Sequence, residues 1–393
     1  MPLPLIVSVV GTRPEAIKMA PVVRALGRLP GIEQQVFLTG QHGGLESYFD
    51  LPDENLRQLG FNPRDRDVER LRSALRALLC DRFRRRPIDL VLVHGDTTSA
   101  AAGALAARDC GIPLAHVEAG LRSFDLDEPW PEEGYRMAID AMAELLFAPT
   151  EGSADNLKQE PRVTGRIHVT GNSGIDALLQ TRARIAAPAV GSRNERRSVL
   201  VTCHRKENQG APANAVCDTI RRMVAELPVR VVTALHLNPR VSRPIEAKLA
   251  GADHVELLEP QGYESMVGLM DSSWLVLTDS GGLQEEAPAL GKPVLVLRNV
   301  TERPEALATG NLELVGTDPD RIFAAVAGLL ADPEKYARMA RPAFPFGDGH
   351  ASERIAGAIG QWLSERSHDP SPPPSSNGRA GAPWPTVSPR GAR

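Results

Sequence analysis

Short runs of branched apolar residues alternate along this chain with longer stretches of helical periodicity. Residues 5–10, 35–39, 90–94, 114–118 and 146–149 form a first series of such runs, each followed by a glycine or polar turn and then an amphipathic segment. After Gly171-Asn172 a second series begins, at 198–202, 229–234, 255–258, 274–278 and 293–297. Runs this short and this apolar suit strands buried on both faces, and the intervening helical patterns suit crossover connections of a parallel sheet. The fold class expected is therefore α/β, with two doubly wound Rossmann-like domains facing a cleft. The chain's 393 residues also exceed what one hydrophobic core ordinarily holds. The expected division is a first domain over 1–171 and a nucleotide-binding second domain over 172–348. A helix over 349–366 packs back on the first domain. The remainder, 367–393, is rich in Pro, Ser and Gly and poor in apolar residues, so it is expected to be a disordered tail.

Composition narrows the function classes. A formal net charge of -4 gives no electrostatic case for nucleic acid or an anionic membrane surface. The local arginine cluster at Arg82 and Arg84 to Arg86 reads as a solvated helix face. Cys80, Cys110, Cys203 and Cys217 form no CxxC pair and no zinc-like spacing with histidine, which fits reduced thiols in a cytoplasmic protein and assigns no metal. The apolar run at the amino end is too short to span a bilayer and has no basic leader, so it reads as the first buried strand.

In doubly wound sheets ligands gather at the carboxyl ends of the strands. The unusual polar residues fall at those ends: Arg13, His42, Asp96, Glu118, His204, His236 and Ser280. Gly11-Thr12-Arg13-Pro14-Glu15 closes the first strand and opens a helix with proline near its first position, where backbone N–H groups and Arg13 can meet a phosphate. Asp279-Ser280-Gly281-Gly282 precedes another helix, with Ser280 placed as its N-cap and glycines that let a diphosphate approach the backbone. Glu286 follows about a turn and a half later, within reach of ribose hydroxyls. His204-Arg205-Lys206-Glu207-Asn208 supplies a histidine and two cations suited to a leaving diphosphate. Asp96, Glu118 and Glu132 sit after apolar runs or in a proline-rigid loop, where carboxyl groups acquire distinct proton affinities. Three of these polar residues have a structural alternative: Asp96 as the cap of the helix that begins at Thr97, Glu118 as the partner of Arg122, His236 as a buried core residue. No GxGxxG fingerprint and no P-loop occurs, which argues against nicotinamide and ATP chemistry.

Taken together, the strings GTRPEAIKMAPV, HGDTTSA, HVEAGLRS, PWPEEGYR, HRKEN, HLNP, TDSGGLQEEAPALGKPVLVLR and TERPEAL resemble the non-hydrolysing UDP-N-acetylglucosamine 2-epimerases, over about residues 5–355. The resemblance implies a glycosyltransferase-B-like pair of domains, a homodimer without cofactor or metal, and interconversion of UDP-GlcNAc and UDP-ManNAc for polysaccharide biosynthesis. It implies a catalytic group of Asp96, Glu118, Glu132 and His204. Arg13, Lys18, Gln261, Met266, Ser280, Gly281, Gly282, Glu286 and Arg303 then hold the substrate, with Met266 where the family more often has an aromatic residue. Gln41, His42, Arg205 and His236 match positions that contact an activating second UDP-GlcNAc in some members, although Gly43-Gly44 replaces longer polar side chains there.

The C2 hydrogen of an N-acetylhexosamine has no adjacent carbonyl, so an enzyme must either oxidise the sugar or expel its anomeric leaving group. Without a dinucleotide fingerprint the second route is expected, through 2-acetamidoglucal and UDP. The alternatives are a 2-epimerase for a UDP-diacetamido-uronic acid, a retaining glycosyltransferase of the same fold, and a non-catalytic sugar-nucleotide sensor.

Overall fold

The computed structural model describes residues 3–60, 67–127, 130–185, 196–301 and 303–368. The chain divides into two compact units, Met1–Ala177 with Gly347–Arg393, and Leu178–Phe346. The first unit is built on strands β1 (Leu5–Val10), β2 (Glu33–Leu38), β3 (Leu56–Gln58), β4 (Leu90–His94), β5 (Leu114–Val117), β6 (Leu145–Ala148) and β7 (Arg166–Val169). The second is built on β8 (Arg197–Thr202), β9 (Val229–Ala234), β10 (Val255–Leu258), β11 (Leu275–Thr278), β12 (Val294–Val296) and β13 (Leu312–Leu314). The sheet orders are β3-β2-β1-β4-β5-β6-β7 and β10-β9-β8-β11-β12-β13, and the strand pairings are parallel.

Burial on both faces explains the apolar runs. In β1, Leu5, Val7 and Val9 join one hydrophobic cluster while Ile6 and Val10 join another. The same alternation holds in β4, with Val91 and Val93 on the first side and Leu90 and Leu92 on the second. Strand side chains point to opposite faces, so helices must cover both. The three strands absent from the sequence reading, β3, β7 and β13, each form a sheet edge, and β3 and β7 have no buried residue, so no continuous apolar run marks them.

The final helix, Ala351–His368, returns to the first unit. Its Ile355, Ile359 and Trp362 lie one helical face apart and pack with Met19, Val22 and Leu26 of the helix Arg13–Leu26. Asp176 receives its amino end, accepting from the backbone N–H of Ala351 at 3.1 Å and of Ser352 at 2.7 Å. The helix therefore includes Ser367 and His368, two residues beyond the expected end. The tail expected over 367–393 lies, from 369 onward, outside the described residues. Among the described residues no helix is long and apolar enough to cross a membrane.

Both sheets reverse their direction of growth at one point: between β1 and β4 in the first, between β8 and β11 in the second. Adjacent strands there send their connecting loops to opposite faces, leaving a crevice at the carboxyl ends. The loops that follow these strands carry Gly11 to Arg13, Gly95 to Asp96, Cys203 to Arg205 and Asp279 to Gly281.

Candidate active site

Glu118 is the focus of the first unit. It follows β5 with φ 68°, a left-handed backbone that a non-glycine residue seldom adopts. Strain of this kind persists only where surrounding contacts hold it, and two are present. Lys18 donates to Glu118 Oε1 at 2.5 Å, and Asn172 Nδ2 donates to the same oxygen at 2.8 Å. Neither partner is in the next turn: Arg122 instead bridges Asp140 and Glu160, at 2.7 and 2.5 Å. The local pairing considered for Glu118 is thus replaced by long-range ones.

Asp96 does not cap a helix either. The N-cap of Thr98–Asp109 is Thr97, whose side chain accepts from the Ala100 N–H. That leaves Asp96 to pair with Arg136 at 2.5 Å, and Arg136 also reaches Glu133 at 2.9 Å. Glu133 in turn accepts from the backbone N–H groups of Ser123 and Phe124, fixing the loop after Glu118. Glu132 opens the same helix, Glu132–Met142, so Asp96, Glu118 and Glu132 belong to segments tied together by named contacts. Behind them, His94 is buried, and burial, opposed by Glu118 and reinforced by Lys18, drives its imidazole down to about 4. It is neutral at physiological pH.

The turn after β1 is packed against the helix Thr98–Asp109. A Cβ on Gly11 would lie 1.9 Å from Ser99 Oγ, so only glycine fits. Ser99 donates to Gln41 Oε1 at 2.8 Å, and the Arg13 N–H donates to His42 Nδ1 at 3.2 Å, which assembles Arg13, Gln41 and His42 around this turn. Burial, with the Arg13 charge in second place, lowers the His42 imidazole. Glu15 closes a capping box on Thr12, accepting from the Gly11 and Thr12 N–H groups at 3.1 and 2.7 Å and from Thr97 Oγ1 at 2.7 Å. Full burial nevertheless outweighs these bonds and raises Glu15 from 4.5 to about 7. The folded state thus keeps a proton that the unfolded chain releases, so this contribution is complete below 4.5 and is lost as pH climbs to about 7. Glu15→Gln removes the titration: the thermal midpoint of wild type relative to the variant should fall between pH 4.5 and about pH 7. A difference that stays flat with pH contradicts this assignment.

In the second unit the fully buried Asp279 organises the crevice. Its Oδ2 accepts from the His204 and Arg205 N–H groups, each at 2.9 Å, and from Asn208 Nδ2 at 3.0 Å, while His204 Nδ1 lies 3.3 Å from Oδ1. His204 and His236 stack with ring centroids 5.5 Å apart. Burial, then the neighbouring His204, lowers the His236 imidazole. Ser280 occupies the N-cap position of Gly281–Ala289 but makes no side-chain cap bond, contrary to the expected capping role. Over that helix end lies Arg303: a Cβ on Gly281 would meet its guanidinium carbon and both terminal nitrogens at 2.8 Å. Arg303 Nε donates to Glu285 Oε1 at 2.6 Å. A helix amino end, an overlying guanidinium and the Arg205 side chain, whose Nε donates to Asp279 O at 3.1 Å, are groups of the kind that bind phosphate. Glu286 accepts from Tyr263 Oη at 3.1 Å, Gln261 Nε2 donates to Glu259 O at 2.6 Å, and Met266 is half-buried on the helix Tyr263–Ser272.

The family model described as UDP-N-acetylglucosamine 2-epimerase matches residues 24–360. The chain belongs to that family. It is 43% identical over 373 residues to the UDP-N-acetylglucosamine 2-epimerase of Salmonella typhimurium, covering 90% of this chain and 98% of the relative. The Bacillus subtilis protein of the same name is 43% identical over 357 residues, covering 89% and 93%. Among solved structures, UDP-GlcNAc 2-epimerase from Neisseria meningitidis bound to UDP-GlcNAc superposes with a TM-score of 0.83 at 38% identity, covering 90% of this chain and 99% of that one. The two α/β units accordingly have the glycosyltransferase-B-like character that the sequence led one to expect.

Proposed function

We propose that this protein is an isomerase that reversibly converts UDP-GlcNAc to UDP-ManNAc, as a homodimer in the cytoplasm feeding polysaccharide biosynthesis. The observation that carries the reading is Glu118, held in a strained backbone beside the first sheet's switch point by Lys18 and Asn172, in a chain whose relatives bear the epimerase name. A carboxylate so held is preorganised for proton transfer at a fixed position.

In the proposed reaction the C1–O bond to the diphosphate breaks and UDP leaves with the electron pair. A carboxylate takes the C2 proton, and the C–H electrons form the C1=C2 double bond of 2-acetamidoglucal. Return of UDP to C1 with protonation of the opposite face of C2 gives the epimer. Asp96, Glu118 and Glu132 share the acid, base and cation-stabilising roles, and His204, Arg13 and the Ser280 to Gly282 helix end stabilise charge on the departing diphosphate. Lys18 of the first unit, and Gln261, Met266, Glu286 and Arg303 over Gly281 of the second, are assigned to the substrate, and Gln41, His42, Arg205 and His236 to a regulatory UDP-GlcNAc.

Proton NMR of the purified protein with UDP-GlcNAc alone tests the activity. A second anomeric resonance growing to a constant ratio is expected without added acceptor. Turnover only on addition of an acceptor would identify a glycosyltransferase instead, and binding without turnover a sensor.

A further inference from the structure

Beneath the acidic side chains runs a buried ionic chain with no counterpart in the residues assigned so far. His116 and Asp140 are fully buried and Arg122 nearly so. His116 Nδ1 lies 2.6 Å from Asp140 Oδ1, and its Nε2 lies 2.8 Å from the Gly95 carbonyl oxygen. The second oxygen of Asp140 accepts from Arg122 at 2.7 Å and from the Gly120 N–H at 3.3 Å. Arg122 passes on to Glu160 at 2.5 Å, so the chain runs from the imidazole through Asp140 and Arg122 to Glu160. A carbonyl oxygen offers no proton, and an Asp140 ionised beside the buried Arg122 guanidinium offers none either, so both ring nitrogens of His116 face acceptors. Burial alone would raise the Asp140 carboxyl, but His116 and Arg122 overcome it and hold that group below its ordinary range.

We infer that His116 is a doubly protonated brace, a positioning residue that fixes the acidic groups of the epimerisation reaction relative to one another. This role rests on the function proposed above. The bonds converge on three segments. Gly95 precedes Asp96, Gly120 lies two residues past Glu118, and Asp140 sits on the helix that carries Glu132, Glu133 and Arg136. Removing the central imidazolium frees the Gly95 carbonyl and strips Asp140 of one of its two cations. The acidic groups then lose their common reference, while the phosphate-binding groups proposed in the second unit include none of these residues.

The protonation state is read directly by nitrogen NMR of the full-length protein labelled at histidine. Both ring nitrogens of His116 should carry a proton, the signal being assigned by its loss in His116→Gln, or by its shift in Asp140→Asn if the first variant does not fold. A singly protonated His116 overturns the brace. In either variant kcat should fall roughly 100-fold, the cost of small misplacements of reacting groups, with KM and UDP affinity within about threefold of wild type. A kcat within about twofold of wild type, or a loss confined to KM, overturns the positioning role. A wild-type protein that forms no epimer refutes the proposed function and the positioning role with it, whereas the NMR result still decides whether the brace exists.

Discussion

Glu118→Gln should lower epimerisation by roughly 10³-fold while leaving the thermal midpoint and UDP affinity close to wild type, within the range that a single acid–base group contributes. The substitution is nearly isosteric. Lys18 and Asn172 both donate to Oε1, and the amide oxygen can still accept from both. What disappears is the negative charge and with it the capacity to hold a proton. The left-handed backbone at position 118 is retained, since the same contacts that stabilise it survive. The decisive comparison is kcat for the variant against its UDP affinity by calorimetry. Turnover at the wild-type rate would remove Glu118 from the reaction, and joint loss of folding and binding would mark it as a structural anchor.

Gly281→Ala should weaken UDP binding by about 10- to 100-fold, the equivalent of one charge-assisted contact, and lower the thermal midpoint by whatever the Arg303–Glu285 pair contributes. A methyl group there would stand 2.8 Å from three atoms of the Arg303 guanidinium. The contact is with the end of a flexible side chain, so the guanidinium is displaced and the backbone is not. Alanine is also a better helix former than glycine at this first helical position. The backbone is therefore spared, and the loss falls on the helix amino end and on the Arg303–Glu285 pair. Calorimetry with UDP distinguishes the outcomes: unchanged affinity would mean that Arg303 does not contribute to the nucleotide site.

These two sites differ in how far their residues announced themselves. Glu118 and Gly281 follow apolar runs that become central strands, so their position at strand ends was legible. Their partners were not. Lys18 and Asn172 stand 100 and 54 residues from Glu118, and Asp279 is 75 and 74 residues from the His204 and Arg205 amides it holds. Such distances are closed by the strand order of a parallel sheet, which brings β1 beside β4 and β8 beside β11 and has no local signature. Asp140 shows the same limit inside one helix, because its spacing is that of an ordinary amphipathic segment until β5 places His116 against it. Short-range readings failed for a complementary reason: Asp96 beside Thr97, and Glu118 near Arg122, offered local partners that stronger distant ones displaced. Of the arginine cluster read as a solvated helix face, Arg84 to Arg86 are exposed but lie past the end of Val68–Phe83, with Arg85 and Arg86 pairing to Asp81 and Glu33, whereas Arg82 on the helix is half-buried.

The central claim is that the C2–H bond is broken and remade by side chains of this protein while UDP is detached. Incubation with UDP-GlcNAc in deuterated water, followed by proton NMR and mass spectrometry of the equilibrated sugar nucleotides, tests it most directly. Solvent deuterium at C2 of both epimers is the result expected. Formation of the second epimer with its original C2 protium fully retained would contradict it.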